Sequence, residues 1–547
     1  MDELARKLGL RTDPAIFFTS AALTLVFVLA LVIAPGPIGD AFAAGRAWIV
    51  TNLGWFFILG VNVWLGFLLW VAMSRHGHIR LGRKGSRPEY SNLSWFTMLF
   101  AGGIGTVLMF WGVAEPISHF STPPLPGIEP YSEEAAKDAI SIAIYHLGLH
   151  TWTIFTLPGL AFAYFINRYE LPVRVSSVFY PLLRERIHGP IGKTIDVAAV
   201  LGTLFGVAVS LGLGSSQIAA GLNELFGTGD GAFVQVCILA VLTGVAVTSI
   251  VVGLDKGVKL LSNLNIGMAV ALMIFVLICG STLFLLRGIV ETFGLYFENL
   301  PRLAFWNDML ANNNPGNDDW GWQGSWTVFY WAWTVTWSPF IGLFVARISR
   351  GRTIREFVFG VLMAPSLFTL IWFAIFGWQA MEFDGLGAAA REAMGDQAGA
   401  ISDAVAESVP LAMFAFFEQL PWTTFIQGFA VVIVAIFFAT SSDSASLVVD
   451  MLCTGNATPG PVHQRVFWGA AEGLVAAMLI ILAGEAGLTA LQQVITVVGL
   501  PIFVLVSMMI PSLIIGLANE DIDHISIGTR PDLDCFEPDR SEEGSAS

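Results

Sequence analysis

Residues 325–340 read SWTVFYWAWTVTWSPF, and the apolar run continues to about residue 346. Between Trp326 and Trp337 stand four tryptophans, a tyrosine and a phenylalanine. On a helix, Trp326, Tyr330, Trp333 and Trp337 share one stripe at i, i+4, i+7 and i+11, with Trp331, Thr334 and Ser338 beside it. An aromatic belt at the membrane interface is one reading of such rings, and Trp326 fits it. Belts sit at helix ends, whereas this stripe runs about three turns inward. The electron-rich faces of such rings can surround a quaternary ammonium that has no N–H to donate. At least one of Trp331, Trp333 and Trp337 is therefore expected to meet a substrate.

The rest of the chain sets this helix in a membrane. Of 547 residues, 55% are hydrophobic and only 13% are charged. Long apolar segments alternate with short polar loops, which predicts one polytopic helical bundle. Twelve spans are expected, at about 15–35, 48–74, 93–113, 139–167, 195–220, 233–253, 263–286, 325–346, 354–380, 421–441, 466–484 and 491–517. With both termini inside, the inner segments hold 22 of the 27 Lys and Arg residues. The outer ones keep only Arg46, Lys137, Arg287, Arg302 and Arg391. The first apolar run is too long for a signal-peptide core, despite Ala41-Phe42-Ala43 nearby, and is read as a retained helix. Residues 1–14 and 518–547 are read as cytoplasmic tails flanking a transporter domain at 15–517. The formal charge of −15 lies largely in outer loops and the final tail, and speaks against nucleic acid as a partner. Cys237, Cys279, Cys453 and Cys535 show no metal-ligand spacing and no disulfide framework.

Two outer stretches are long. GIVETFGLYFENLPRLAFWNDML, within 287–324, is amphipathic and predicts a helix along the interface. Residues 381–420 are rich in Ala, Gly and acid. They predict an outer cap, with 385–405 read either as part of it or as a disordered loop.

Two further motifs carry chemistry. In FAGGIGTVLMFWGVAEP (100–116), glycines can unwind the third span. Freed carbonyls would then meet a cation and freed amides a carboxylate; tight helix packing is the other reading. In IFFATSSDSASLVVD (436–450), Thr440 and Ser441 offer hard hydroxyl oxygens suited to sodium, or else bond their own helix at i−4. Asp443 is a membrane-depth acid or a helix cap. His146 and His150 stand at i, i+4, but no zincin pattern follows, so a packing or cavity-lining role is expected and no enzyme is implied.

SWTVFYWAW, SPFIGLFVARISRGRTIREF (338–357), LFGVAVSLGLGSSQI (204–218), FWGVAEP and TSSDSASLVVD together resemble the betaine/choline/carnitine transporter family over roughly residues 15–517. The resemblance implies an all-α membrane protein of twelve transmembrane helices with the LeuT-type fold. Its two five-helix inverted repeats would fall at about 93–286 and 325–517. It also implies a homotrimer in a bacterial inner membrane, multi-pass, with both termini cytoplasmic. The implied activity is import of a compatible solute or quaternary-ammonium compound, of the glycine betaine, choline, carnitine or dimethylsulfoniopropionate type. No cofactor beyond a coupling ion is implied.

By position, the substrate residues implied are Trp152, Phe155, Trp331, Trp333, Thr334 and Trp337, with Gly103, Ile104 and Gly105 at the broken span. The chain departs from the family pattern at Leu147, Phe155 and Thr334, where rings are usual or different. Either neighbouring rings still close the cage, or Thr334 pairs with a solute that carries N–H groups or extra oxygens, such as taurine or an ectoine-like compound. The sodium site implied comprises Ala101, Ile104, Phe437, Thr440 and Ser441. A second site would use Thr203 and Phe340, with Val207 where a hydroxyl is expected. No Lys or Arg occurs in 194–255 or 392–464 to replace the ion, so sodium symport is expected. Proton coupling through Glu115 or Asp443 is the alternative. The acidic tail lacks a basic stripe, which implies constitutive uptake rather than strong osmotic activation.

Overall fold

The computed structural model describes residues 1–83, 85–101, 105–252, 255–310, 321–483 and 488–520. The expected tail beyond residue 520, Cys535, Gly103 and Ile104 lie outside the described residues. The helices used below are, in chain order, α1 (Pro14–Ile33), α2 (Pro35–Met73), α3 (Asn92–Ala101), α4 (Gly105–Ser121), α5 (Glu133–Leu147), α6 (Leu149–Phe162), α7 (Pro190–Phe226), α8 (Ala232–Val252), α9 (Asp255–Cys279), α10 (Thr282–Ala304), α11 (Thr327–Ile348), α12 (Ile354–Phe383), α13 (Ala400–Glu407), α14 (Ala412–Glu418), α15 (Thr423–Thr454), α16 (Val462–Ala483) and α17 (Leu488–Ala518). Among the described residues there is no strand, only an isolated bridge between Arg80 and Thr353.

Ten of these stretches are long and apolar enough to cross a membrane, and an eleventh counts when a bent pair is taken as one. The expected third span corresponds to α3 and α4, which flank the AGGIG motif. The expected fourth is split at Gly148, between α5 and α6. The expected seventh ends earlier than its apolar run. The chain turns by 117° between Cys279 and Thr282, and α10 leaves at that angle. Leu283, Val290 and Phe297 on α10 are exposed, an apolar face suited to the bilayer boundary or to another chain. The second span is longer than expected, because Pro35 and Pro37 start α2 at once, where a missing N–H costs nothing.

The core is organised around α11. Its residues are buried on every side, unlike a surface helix with one apolar stripe. It packs against α6, α17, α7 and α2. Close approach explains the small residues at these crossings. A Cβ on Gly499 of α17 would come within 2.7 Å of the Ala332 carbonyl oxygen, and one on Gly342 within 3.1 Å of the Gly159 backbone nitrogen on α6. Within a membrane, such contacts replace the hydrophobic drive that lipid cannot supply.

The 381–420 region is folded. Residues 385–405 include short helices and join α13 and α14 into a cap over one end of the bundle. Asp384 holds it. Its Oδ1 accepts from the backbone N–H groups of Ile401 (2.9 Å) and Ser402 (3.0 Å), and the Ser402 hydroxyl donates to Oδ2. Asp384 is fully buried. Asp384→Ala strands these donors, and is expected to cost roughly 2–3 kcal/mol and lower the melting temperature of the purified protein. Asp384→Asn, which keeps an acceptor, is expected to lose less. An unchanged melting temperature in Asp384→Ala would sink this account of the cap.

Candidate functional site

A small cavity lies where α4, α5, α6 and α11 meet. Val107, Leu147, Thr151, Phe155, Trp333, Thr334 and Trp337 line it. About 20 Å³ is open to a water's centre; one water needs about 10–15 Å³ on that measure. Helical spacing explains the α11 contribution, since residues i, i+1 and i+4 share a face. The Trp333 indole N–H donates to Ser210 Oγ on α7 (3.0 Å), which fixes that ring. Trp337 Nε1 is buried with no partner within the protein. Phe155 and Trp152 on α6 meet edge to face at 5.5 Å, and Trp152 is buried behind the wall rather than in it.

The split at Gly148 shapes this wall. Gly148 has φ −99° and ψ −123°, outside the helical region. The Thr151 hydroxyl crosses the break and donates to the His146 carbonyl at 2.5 Å. The cavity wall is almost wholly apolar; Thr151, whose hydroxyl is engaged by the His146 carbonyl, and Thr334 are the lining residues that carry hydroxyls. Sequence reasoning did not single out Val107 or Thr151. The single glycine of HLGLH (146–150) is the one local mark of the break, and by itself it is compatible with an unbroken helix.

Trp331 stands on the other side of α11. Its ring stacks on His150 (5.9 Å, 12°) and meets Tyr145 edge-on at 5.4 Å, away from the cavity. Trp326 precedes the first residue of α11 and packs edge-on against His119 at 4.4 Å.

One turn along α11 from the cavity, Tyr330 enters a buried polar cluster. Its hydroxyl donates to Glu115 Oε2 on α4 at 2.6 Å. His146 Nδ1 lies 2.5 Å from Glu115 Oε1, and its Nε2 lies 3.0 Å from Thr327 Oγ1. His119 Nε2 is 3.6 Å from the same carboxylate oxygen. These groups are 0–1% exposed. Glu115, His119 and His146 bring one ligand atom each within 4.8 Å of one another, a set that could hold a metal ion. His150 instead pairs with Asn62 Oδ1 on α2 at 3.0 Å. His146 and His150 therefore do not form one ligand pair.

The described ion-site residues fall on α3 (Ala101), α15 (Phe437, Thr440 and Ser441), α7 (Thr203) and α11 (Phe340). Thr440 Oγ1 lies 2.8 Å from the Ile436 carbonyl and 3.1 Å from the Phe437 carbonyl, so its hydroxyl bonds within its own helix. Ser441 is half-buried. Phe437 covers Gly105: a Cβ there would collide with the ring at 2.0 Å. The first residue of α4, Gly105, and α15 therefore meet, four residues beyond Ala101 in sequence. On α7, the buried Thr203 hydroxyl has no partner within the protein, and on α11 neither has the Ser338 hydroxyl. Phe340 is buried, with its ring 5.8 Å from Trp337. Asp443 accepts from Ser249 of α8 at 3.4 Å.

Comparison with known proteins identifies this architecture. Residues 15–522 match the family model described as the betaine/carnitine/choline family transporter. The ectoine/glycine betaine/proline transporter EctP of Corynebacterium glutamicum is 44% identical over 541 residues, covering 99% of this chain and 86% of the relative. The glycine betaine transporter OpuD of Bacillus subtilis is 38% identical, covering 92% of this chain and 94% of its own. The osmo-dependent choline transporter BetT2 of Acinetobacter baylyi is 38% identical, over 93% and 72% respectively. The chain belongs to the betaine/carnitine/choline family of transporters.

Proposed function

We propose that this chain imports a small zwitterionic or quaternary-ammonium solute of the glycine betaine type by sodium symport. The observation that carries the reading is the cavity itself: the rings of Phe155, Trp333 and Trp337 face a common space with two threonines. Ring faces favour an onium group. The space is smaller than any such solute, so loading requires the walls to part. This fits alternating access, with the break at Gly148 and the AGGIG motif as the places where span 4 and span 3 bend. Trp152 supports the Phe155 wall, and Trp331 anchors α11 on its far side. Gly103, Ile104 and Gly105 remain our assignment for the anionic end.

Sodium would bind where α15 meets the broken span, among the carbonyls of Ala101, Ile104 and Phe437 and the hydroxyls of Thr440 and Ser441. The Thr440 hydroxyl already lies 3.1 Å from the Phe437 carbonyl, so turning its lone pairs outward creates two converging oxygens. Thr203 and Phe340 mark a second ion position, supported by the partnerless Thr203 hydroxyl. We place the protein in a bacterial inner membrane with both termini inside, as twelve spans in two inverted repeats. The apolar face of α10 supports a homotrimer.

An ectoine-type solute is the second reading. Thr151 and Thr334 lie on the cavity wall, and the 44% identical relative is described as carrying ectoine beside glycine betaine and proline. A hydroxyl matched to a solute N–H discriminates strongly, because the wrong solute leaves a buried group unpaired.

Uptake of labelled glycine betaine by transporter-deficient cells expressing the chain, with excess ectoine, choline, taurine or carnitine as competitor, decides between the two. Sodium-dependent uptake blocked by methylated onium compounds supports the first reading. Transport of ectoine without betaine supports the second, and transport of neither class rejects both. Trp337→Ala removes a ring worth about 2 kcal/mol to a desolvated cation and is expected to raise the half-saturating betaine concentration roughly thirtyfold. Thr334→Trp is expected to favour betaine over ectoine; a reversed preference would count against the hydroxyl's role. Thr440→Ala removes a hydroxyl ligand worth about 1–2 kcal/mol and is expected to raise half-saturating sodium about tenfold, with little change at saturating sodium.

A further inference from the structure

Glu472, in the middle of α16, is fully buried within the bundle. Ser442 Oγ lies 3.1 Å and Ser446 Oγ 3.2 Å from its Oε2. Its Oε1 has no partner within the protein. Both serines are buried on α15, one turn apart. Gly469, three residues before Glu472, brings the helices together here: a Cβ on it would lie 3.1 Å from Ser446 Oγ.

Counting protons makes this arrangement informative. Ser446 Oγ also lies 2.9 Å from the Ser442 carbonyl, which can only accept. A serine has one O–H. If Ser446 donates to that carbonyl, its lone pair faces Glu472 Oε2. Two oxygens at that distance need a proton or a cation between them. If it donates to Glu472 instead, it abandons the carbonyl, and Oε1 still has no donor. An uncompensated carboxylate at such a place is costly.

Among the described residues no cationic side chain is paired with it. The elements packed on α16 are α8, α7, α15, α17, α1 and α2. Among them α8 carries only Cys237. On α15 stand Asp443, Asp450 and Cys453; on α7, Lys193, Asp196 and Glu224; on α2, Asp40 and Arg46. α1 and α17 carry no titratable side chain. Lys193 pairs with Asp13, and Arg46 donates to Ser325. On α16 itself, His463 and Arg465 lie two turns or more away, about 10 Å along the axis. The acid nearest these serines in sequence is Asp443, the residue after Ser442.

We propose that Glu472, with the Ser442 and Ser446 hydroxyls, forms a monovalent-cation site, loaded by a proton or by sodium, on the face of α15 turned away from Thr440 and Ser441. At about 100° per residue, Ser442 and Ser446 sit opposite that pair. Loaded with a proton, the Glu472 carboxyl donates to Ser446 Oγ while Ser446 keeps its bond to the Ser442 carbonyl. Loaded with sodium, the carboxylate and the two hydroxyl oxygens are the ligands. In either case α15 carries cation-binding oxygens on both faces, and loading at α16 biases how α15 sits against α4. The site does not depend on which solute is carried.

The test uses the purified full-length protein. Infrared spectra over a pH series, for wild type and Glu472→Gln, read the acid carbonyl band of a protonated carboxyl. Melting temperatures in NaCl against KCl, in Thr440→Ala with and without Glu472→Gln, read sodium. A reversible titrating band absent from Glu472→Gln assigns the proton. A sodium-dependent rise that survives Thr440→Ala and is lost in the double variant assigns sodium. A band unchanged at every pH at which the protein stays folded, with no sodium effect, makes Glu472 a fixed structural acid and overturns the proposal; so does the absence of both signals. If Glu472→Gln fails to fold, Ser446→Ala keeps the carboxyl and must shift the titration or weaken the sodium effect. An unchanged response in that variant also overturns the proposal.

Discussion

The close backbone approach around α11 is the constraint on which the rest of the molecule depends. A helix buried on every side must present small residues or shaped gaps to each neighbour. Gly499 against Ala332 and Gly342 against Gly159 are two places where a single methyl group would separate the helices. With α11 pinned by its backbone, its large side chains are directed to fixed places. Trp333, Thr334 and Trp337 face the cavity, Tyr330 enters the Glu115 cluster, and Trp331 packs against His150. One helix thereby joins the cavity wall to a polar network one turn away.

Buried polar groups in this bundle follow two patterns. Around Glu115, each carboxylate oxygen has a close partner, and His146 passes the chain of contacts on to Thr327. That network ties α4, α5 and α11 together in a low-dielectric setting where satisfied hydrogen bonds are strong. Around Glu472 the donors do not suffice for the acceptors. In the first pattern both carboxylate oxygens are partnered, whereas in the second one oxygen has no partner within the protein.

Span length and hydropathy made the membrane class and most of the helix order legible, because both are local properties of the chain. So was the shared face of Trp333, Thr334 and Trp337, which follows from helical spacing alone. The far-side position of Trp331 follows from the same periodicity, but only once Trp333 is known to face the cavity. The break at Gly148 was not legible, since HLGLH carries no proline and reads as ordinary helix. Thr151 enters the wall through that break. The bend after Cys279 was hidden by an apolar run that continues past it. The pairings of Glu115 with Tyr330 and of Glu472 with Ser442 join residues far apart in sequence, and no local pattern announces them.

The division of labour on α11 and α6 bears on how such a protein diversifies. The contacts that set the spacing of the helices are made by backbone and glycine, while Leu147, Thr151, Phe155 and Thr334 touch the cavity through their side chains. Exchanges at these four positions reshape the chamber without disturbing the crossings that hold it open. The volume and polarity of the chamber can therefore change one side chain at a time while the helix crossings stay fixed.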